Sequence, residues 1–231
     1  MNALLVVLLS PLVGAIVLAL LRPLRWAGWL NVGVSAVSLA AAIMLSWTVG
    51  TVGEVAGFTF RVDAFNVYLV ALTTFVGLTT SIFSRPYMRH VCETGKIGNR
   101  GMRIYHSMYQ AFMFTMLLSL TTDNLGVLWV AVEGATLATV LLVSLYRTPE
   151  AVEAAWKYFI LCGVGIALAL FGTVLTYFAA QQVISDPETG LLWSALYQRS
   201  GELDAVVMRL AFVFLLVGYG TKVGLVPMHQ W

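Results

Sequence analysis

Two ionisable side chains stand inside long apolar runs of this chain, and the chemistry open to them is proton carriage. Glu133 lies near the middle of Leu125–Tyr146, LGVLWVAVEGATLATVLLVSLY, and Lys222 lies in LAFVFLLVGYGTKVGLVPMHQW. A charge deep in a bilayer is costly, so such residues face a protein interior or a water-filled path and pair with one another. At 100° per residue Glu133, Thr136, Val140 and Ser144 share one helical stripe, small and partly polar, while Leu128, Leu142 and Leu145 lie elsewhere. The carboxylate reads in two ways: a protonatable station on an ion pathway, or a structural anion that locks two helices together. Depth links it to the lysine. Glu133 is ten residues from Asp123 and Lys222 thirteen from Arg209, roughly 15 and 20 Å at about 1.5 Å per residue. A lysine side chain spans that difference, and an unpaired charge at the centre costs at least about 2.5–3.5 kcal/mol. A Glu133–Lys222 pair is therefore expected.

The surroundings of Lys222 point the same way. Gly218, Gly220 and Gly224 cluster around it, and Gly220 and Gly224 have the spacing that lets a second helix approach closely. Pro227 cannot donate to the carbonyl of Val223, so the helix should loosen just beyond the lysine. Broken membrane helices recur at ion sites, although a proline kink without a role is an equally plain reading. His106, near the start of the fourth apolar run, and His229, after Pro227, fall toward one membrane face. Histidine titrates near neutral pH, so the two form a candidate proton-entry relay; as interfacial amphipathic residues they need no such role. His90 lies in a basic loop and reads as solvated.

The elements that must hold these residues are membrane helices. Hydrophobic residues make up 60% of the 231 and charged residues 10%, with a mean hydropathy of +0.87, against roughly 25% charged in a soluble domain. The chain reads as an all-α polytopic bundle of about seven spans: Leu4–Leu21, Trp26–Trp47, Phe65–Phe83, Tyr105–Leu120, Leu125–Tyr146, Ala154–Ala180 and Val206–Met228. Met1–Leu21 lacks a basic start and a small-x-small cleavage site, so it is expected to be retained as the first helix. Between the second and third spans FTFRVD alternates as a short extended segment, and LLWSALY in Gln181–Asp204 reads as a short interfacial helix. Ser84–Arg103 is a basic loop, with Arg85, Arg89, Lys96, Arg100 and Arg103 against Glu93. The turns after the first, third and fifth spans hold Arg22, Arg25, those five cations and Arg147, whereas the other turns carry mainly acids. By the positive-inside rule the basic turns are cytoplasmic and the N-terminus is outside.

The stretches DNLGVLWVAVEGATLATVLLVSLYRTPEAVEAAWKYFILCGVGIALALFGTVLTYFA and VGYGTKVGLVPMHQW resemble the antiporter-like membrane subunits shared by respiratory complex I, Mrp-type cation/proton antiporters and membrane-bound hydrogenases, with the F component of hydrogenase 4 as the nearest branch. The resemblance implies a family fold of about fourteen helices in two inverted repeats, of which this chain would be an N-terminal fragment. Residues 1–104 would be the N-terminal helices with the basic cytoplasmic loop, and 105–231 the truncated start of the proton-translocating domain. It implies that Glu133 is the glutamate of the fifth helix and Lys222 the lysine of a discontinuous seventh. Lys157, in AAWKYF, matches a lysine often found at the start of the sixth. An acid common early in the sixth helix of the larger complex I subunits is replaced here by Gly163–Val164–Gly165–Ile166, which favours the hydrogenase-type branch.

The function so implied is a proton-translocating membrane subunit of a respiratory oxidoreductase, sited in a bacterial or archaeal plasma membrane among other membrane subunits and coupled to their electron transfer. A cation/proton antiporter subunit outside redox chemistry is the alternative, with protons or sodium as cargo. A passive haem or quinone anchor using His106 and His229 is a third reading. No dinucleotide fingerprint, P-loop or iron–sulfur cysteine run is present, and Cys92 and Cys162 have no CxxC spacing. No cofactor, metal or nucleic-acid partner is expected.

Overall fold

The computed structural model describes residues 1–20 and 26–228. The helices are α1 (Asn2–Leu20), α2 (Ala27–Val52), α3 (Ala64–Glu93), α4 (Asn99–Thr121), α5 (Leu125–Val143), α6 (Pro149–Ala180), α7 (Trp193–Gln198) and α8 (Ala205–Val223), and a hairpin of β1 (Val55–Gly57) and β2 (Phe60–Val62) joins α2 to α3. Six of these, α1, α2, α3, α5, α6 and α8, are long and apolar enough to cross a membrane. The expected fourth span, α4, has the length, about 34 Å for its 23 residues. Its composition is more polar because it carries His106, Ser107 and Gln110, all turned into the protein. Inside a bundle such groups are met by other helices rather than by lipid, so the polar face does not disqualify the span.

Helix starts are set by local chemistry. Asp63 accepts hydrogen bonds from the N–H groups of Phe65 and Asn66, Asn124 from Gly126 and Val127, and Asp204 from Val206 and Val207. Thr148 caps α6, with Pro149 in the first turn, where a missing N–H costs nothing. Two expectations are corrected. The basic stretch Ser84–Arg103 is largely helical, since α3 runs on through Pro86 to Glu93 and α4 begins at Asn99. The helix bearing Lys222 ends at Val223, and its stop is Gly224, in the left-handed region at φ 81°, with its N–H bonded to the carbonyl of Gly220. Glycine at that position satisfies a terminal carbonyl without a Cβ penalty, so the helix has ended before Pro227 can interrupt it.

α4 is the hub: it packs on α1, α2, α3 and α5, while α6 packs on α5 and α8. Leu4, Val7, Leu45, Val70 and Leu117 form the buried apolar centre of the first four helices. Glycine brings α6 and α8 together, though through different residues from those expected. A Cβ on Gly218 would lie 2.5 Å from the Ala169 amide nitrogen and 2.7 Å from the Gly165 carbonyl oxygen, so the backbones touch there. Gly220 instead faces Leu225 and Met228 of its own chain.

The connections gather at two ends. At one, the hairpin, the α4–α5 turn and the start of α7 are joined: Asp123 N–H donates to the Thr59 carbonyl, Trp193 N–H to the Asp123 carbonyl and Leu125 N–H to the Leu191 carbonyl. The Asp123 carboxylate also accepts from the Ser194 amide and hydroxyl. At the other end Arg85 lies 3.8 Å from the Trp29 ring centroid, and the hydroxyls of Tyr87 and Tyr146 are 3.0 Å apart. The acidic and basic connections are thus segregated as the charge pattern predicts.

Candidate proton-transfer site

The anchored α4–α5 turn fixes where α5 begins, and the indole of Trp129 fixes which way it faces. Trp129 Nε1 donates to the Ile166 carbonyl of α6 at 2.7 Å. Four residues on, Glu133 stands on the same side of α5. Its Oε2 is buried and has no hydrogen-bond partner among the described residues. Opposite, Lys222 reaches across from the last turn of α8 and donates from Nζ to Thr136 Oγ1, one turn from Glu133. Among the described residues no direct Glu133–Lys222 ion pair is formed.

The lysine sits in a small polar niche completed by α6. Its Nζ is 5.5 Å from the Tyr158 ring centroid, within range of attraction to the ring face. Tyr158 Oη and Thr139 Oγ1 are 3.0 Å apart, and the buried Cys162 lies close to Lys222 and Tyr158. The niche therefore holds one carboxylate, one ammonium and several hydroxyls, with the ammonium on a flexible arm. Such a set can hold a proton, pass it through hydroxyls and exchange the cation's partner.

The sequence reading picked out Glu133, Thr136 and Lys222, and it passed over Trp129, Tyr158 and Cys162. A signal for the last two was available. Tyr158, Cys162, Gly165 and Ala169 recur at spacings of four, three and four, the interval of one helix face. The other sequence candidates lie apart from this niche. Lys157 is exposed and pairs with Glu153, one turn before it on α6. His106 is on α4 but faces away: Thr115 meets Gly134 of α5, and nine residues at 100° put His106 half a turn from Thr115. His229 lies outside the described residues.

Residues 122–231 match the family model of the NADH:quinone oxidoreductase/Mrp antiporter transmembrane proteins. With that match and the helix order above, the chain belongs to the antiporter-like membrane-subunit superfamily of complex I, Mrp antiporters and membrane-bound hydrogenases. It is similar to the hydrogenase-4 component F homolog of Methylacidiphilum infernorum, 44% identical over 225 residues, covering 97% of this chain and 46% of that protein. It is also similar to NADH-quinone oxidoreductase subunit N 2 of Aquifex aeolicus, 35% identical over 131 residues, or 55% of this chain and 25% of that one. Two solved structures share the fold. A chain of the archaeal membrane-bound sulfane sulfur reductase superposes with a TM-score of 0.82 at 17% identity, covering all of this chain and 47% of that one. A chain of respiratory complex I from Thermus thermophilus gives 0.74 at 22%, covering 99% and 45%. The chain thus spans about half the length of the hydrogenase-4 relative and of both solved structures.

Proposed function

We propose that this chain is the proton-conducting part of a membrane subunit in a respiratory oxidoreductase of the hydrogenase-4 or complex I kind, and that Glu133 and Lys222 carry the proton step. The relatives' names support the complex: one is a hydrogenase-4 component F homolog and another an NADH-quinone oxidoreductase subunit N 2. The observation that supports the residues most directly is the contact of the Lys222 ammonium with Thr136, one turn along α5 from Glu133. Desolvation penalises each charge alone, and each supports the other's ionisation when they approach. Lys222 then has two stations, the carboxylate and the hydroxyls of Thr136, Thr139 and Tyr158. A charge displaced in a neighbouring subunit shifts it between them, and the proton leaves when the carboxylate's support is withdrawn.

In this reading the basic end faces the cytoplasm of a prokaryote and the N-terminus lies outside, because lysine and arginine gather in the connections at that end. Partner membrane subunits supply the electron chemistry. The Mrp part of the family description also supports a second reading, a cation/proton antiporter subunit with proton or sodium as cargo.

The deciding experiment is Glu133→Gln in the parent complex, reconstituted in vesicles. The amide keeps size and hydrogen bonding but loses the charge. Proton translocation should fall by about tenfold or more, equivalent to about 1.4 kcal/mol or more on the barrier, with assembly unchanged. Wild-type pumping by the intact variant would make the carboxylate structural. Sodium-dependent transport without electron-donor dependence would favour the antiporter reading.

A further inference from the structure

Away from the niche, the first helices bury a polar cluster that the proton step does not use. Asn31 and Ser35 of α2 meet Gln110 of α4: Gln110 Nε2 donates to Asn31 Oδ1 at 2.8 Å, to the Asn31 carbonyl at 3.2 Å and to Ser35 Oγ at 3.0 Å. His106 lies one turn from Gln110 on the same stripe of α4, beneath Tyr105, and Ser107 beside it ties α4 to the Ala15 carbonyl of α1. Asn31, Ser35, His106 and Gln110 are each 1% exposed or less.

Within this cluster four polar atoms have no hydrogen-bond partner among the described residues: both ring nitrogens of His106, Gln110 Oε1 and Asn31 Nδ2. Buried polar groups are nearly always satisfied, by protein or by ordered water. Amide rotation does not remove the deficit. Turning Gln110 alone points its oxygen at two acceptors of Asn31, and turning Asn31 alone sets two NH2 groups face to face. Turning both leaves Gln110 Nε2 and Asn31 Oδ1 orphaned in their place.

We propose that α1, α2 and α4 enclose a water-binding site bounded by His106, Gln110 and Asn31. The orphaned set supplies donors and acceptors in equal number, which a water molecule matches on both counts. Among the described residues no carboxylate lines it to hold a cation and no lysine or arginine to hold an anion, so a neutral occupant fits. One turn separates His106 from Gln110, about 6 Å along the axis, a gap that a short chain of waters bridges. The site is independent of Glu133 and Lys222, being half a turn around α4 from the face that meets α5.

The test is a density map of the protein purified from its native membrane, detailed enough to show ordered waters elsewhere between its helices. Density is expected at hydrogen-bonding distance from a His106 ring nitrogen and from Gln110 Oε1. In His106→Phe, which keeps the ring and removes both nitrogens, the density beside residue 106 should vanish while that beside Gln110 persists. A dry site in the wild-type map, direct protein hydrogen bonds from the ring and both amides, or unchanged density in the variant would each overturn the proposal. If His106→Phe does not assemble, the wild-type map decides alone.

Discussion

Lys222 shows why a charged residue in a membrane helix is best judged by what it can reach. Its ammonium contacts Thr136 and lies near Tyr158 and Cys162, and a carboxylate is carried one turn away on the same face. Lys222→Met removes the mobile cation and leaves Glu133 buried without it. Vesicle proton uptake should fall as far as in Glu133→Gln, whereas Glu133→Asp should retain more because the charge survives on a shorter arm. Tyr158→Phe deletes the hydroxyl that meets Thr139. Since one neutral hydrogen bond contributes about 0.5–1.5 kcal/mol, turnover should drop by about tenfold or less. Lys157→Met is the internal comparison. Its salt bridge with Glu153 is exposed on both sides, and exposed pairs contribute little, so uptake near wild type is expected; a loss as deep as that of Lys222→Met would place Lys157 on the path.

At the level of elements, two features hold the niche together. The first is the α4–α5 turn, where Asn124 caps α5 and Asp123 is bound by α7. Asn124→Ala removes a side chain that accepts two amide N–H groups, a change that costs about 1 kcal/mol. Thermal unfolding in detergent should shift down modestly, with Glu133 still in place and proton uptake largely kept. The second is the α6–α8 contact at Gly218, where an added side chain meets backbone rather than a flexible neighbour. Gly218→Val must push α8 away from α6, by the route that makes overpacking cost about 1–3 kcal/mol. Because α8 carries Lys222, uptake should fall even in protein that assembles. Normal uptake and unchanged melting would mean that the close approach has no mechanical role.

Across the whole molecule the two ends differ in kind. One is tied by backbone hydrogen bonds among the hairpin, the α4–α5 turn and α7; the other collects arginine, tyrosine and tryptophan. If the basic end is cytoplasmic, a cysteine introduced at Lys96 should resist a membrane-impermeant maleimide in intact cells and react after lysis. One introduced at Glu54 should react at once. The reverse pattern would invert the orientation and with it the direction of proton movement.

Much of this was legible in the chain. Apolar runs of about 20 residues can be buried in lipid only as helices, because every backbone group must be satisfied within the segment. The helix order, an extended segment at FTFRVD and the short helix at LLWSALY follow from local pattern, and so do Glu133 and Lys222 as charges that need an interior; that the extended segment pairs with Val55–Gly57 as a hairpin does not. Other features depend on packing between distant segments. That Lys222 meets Thr136, that Gly218 rather than Gly220 touches α6, and that His106 faces α1 and α2 all depend on how each helix is rotated about its axis. Rotation is set by small contacts such as Trp129 on the Ile166 carbonyl and Gly218 on Ala169. In lipid nearly every side of an apolar helix is equally acceptable, so hydropathy identifies the helix and the neighbouring backbones decide which way it turns.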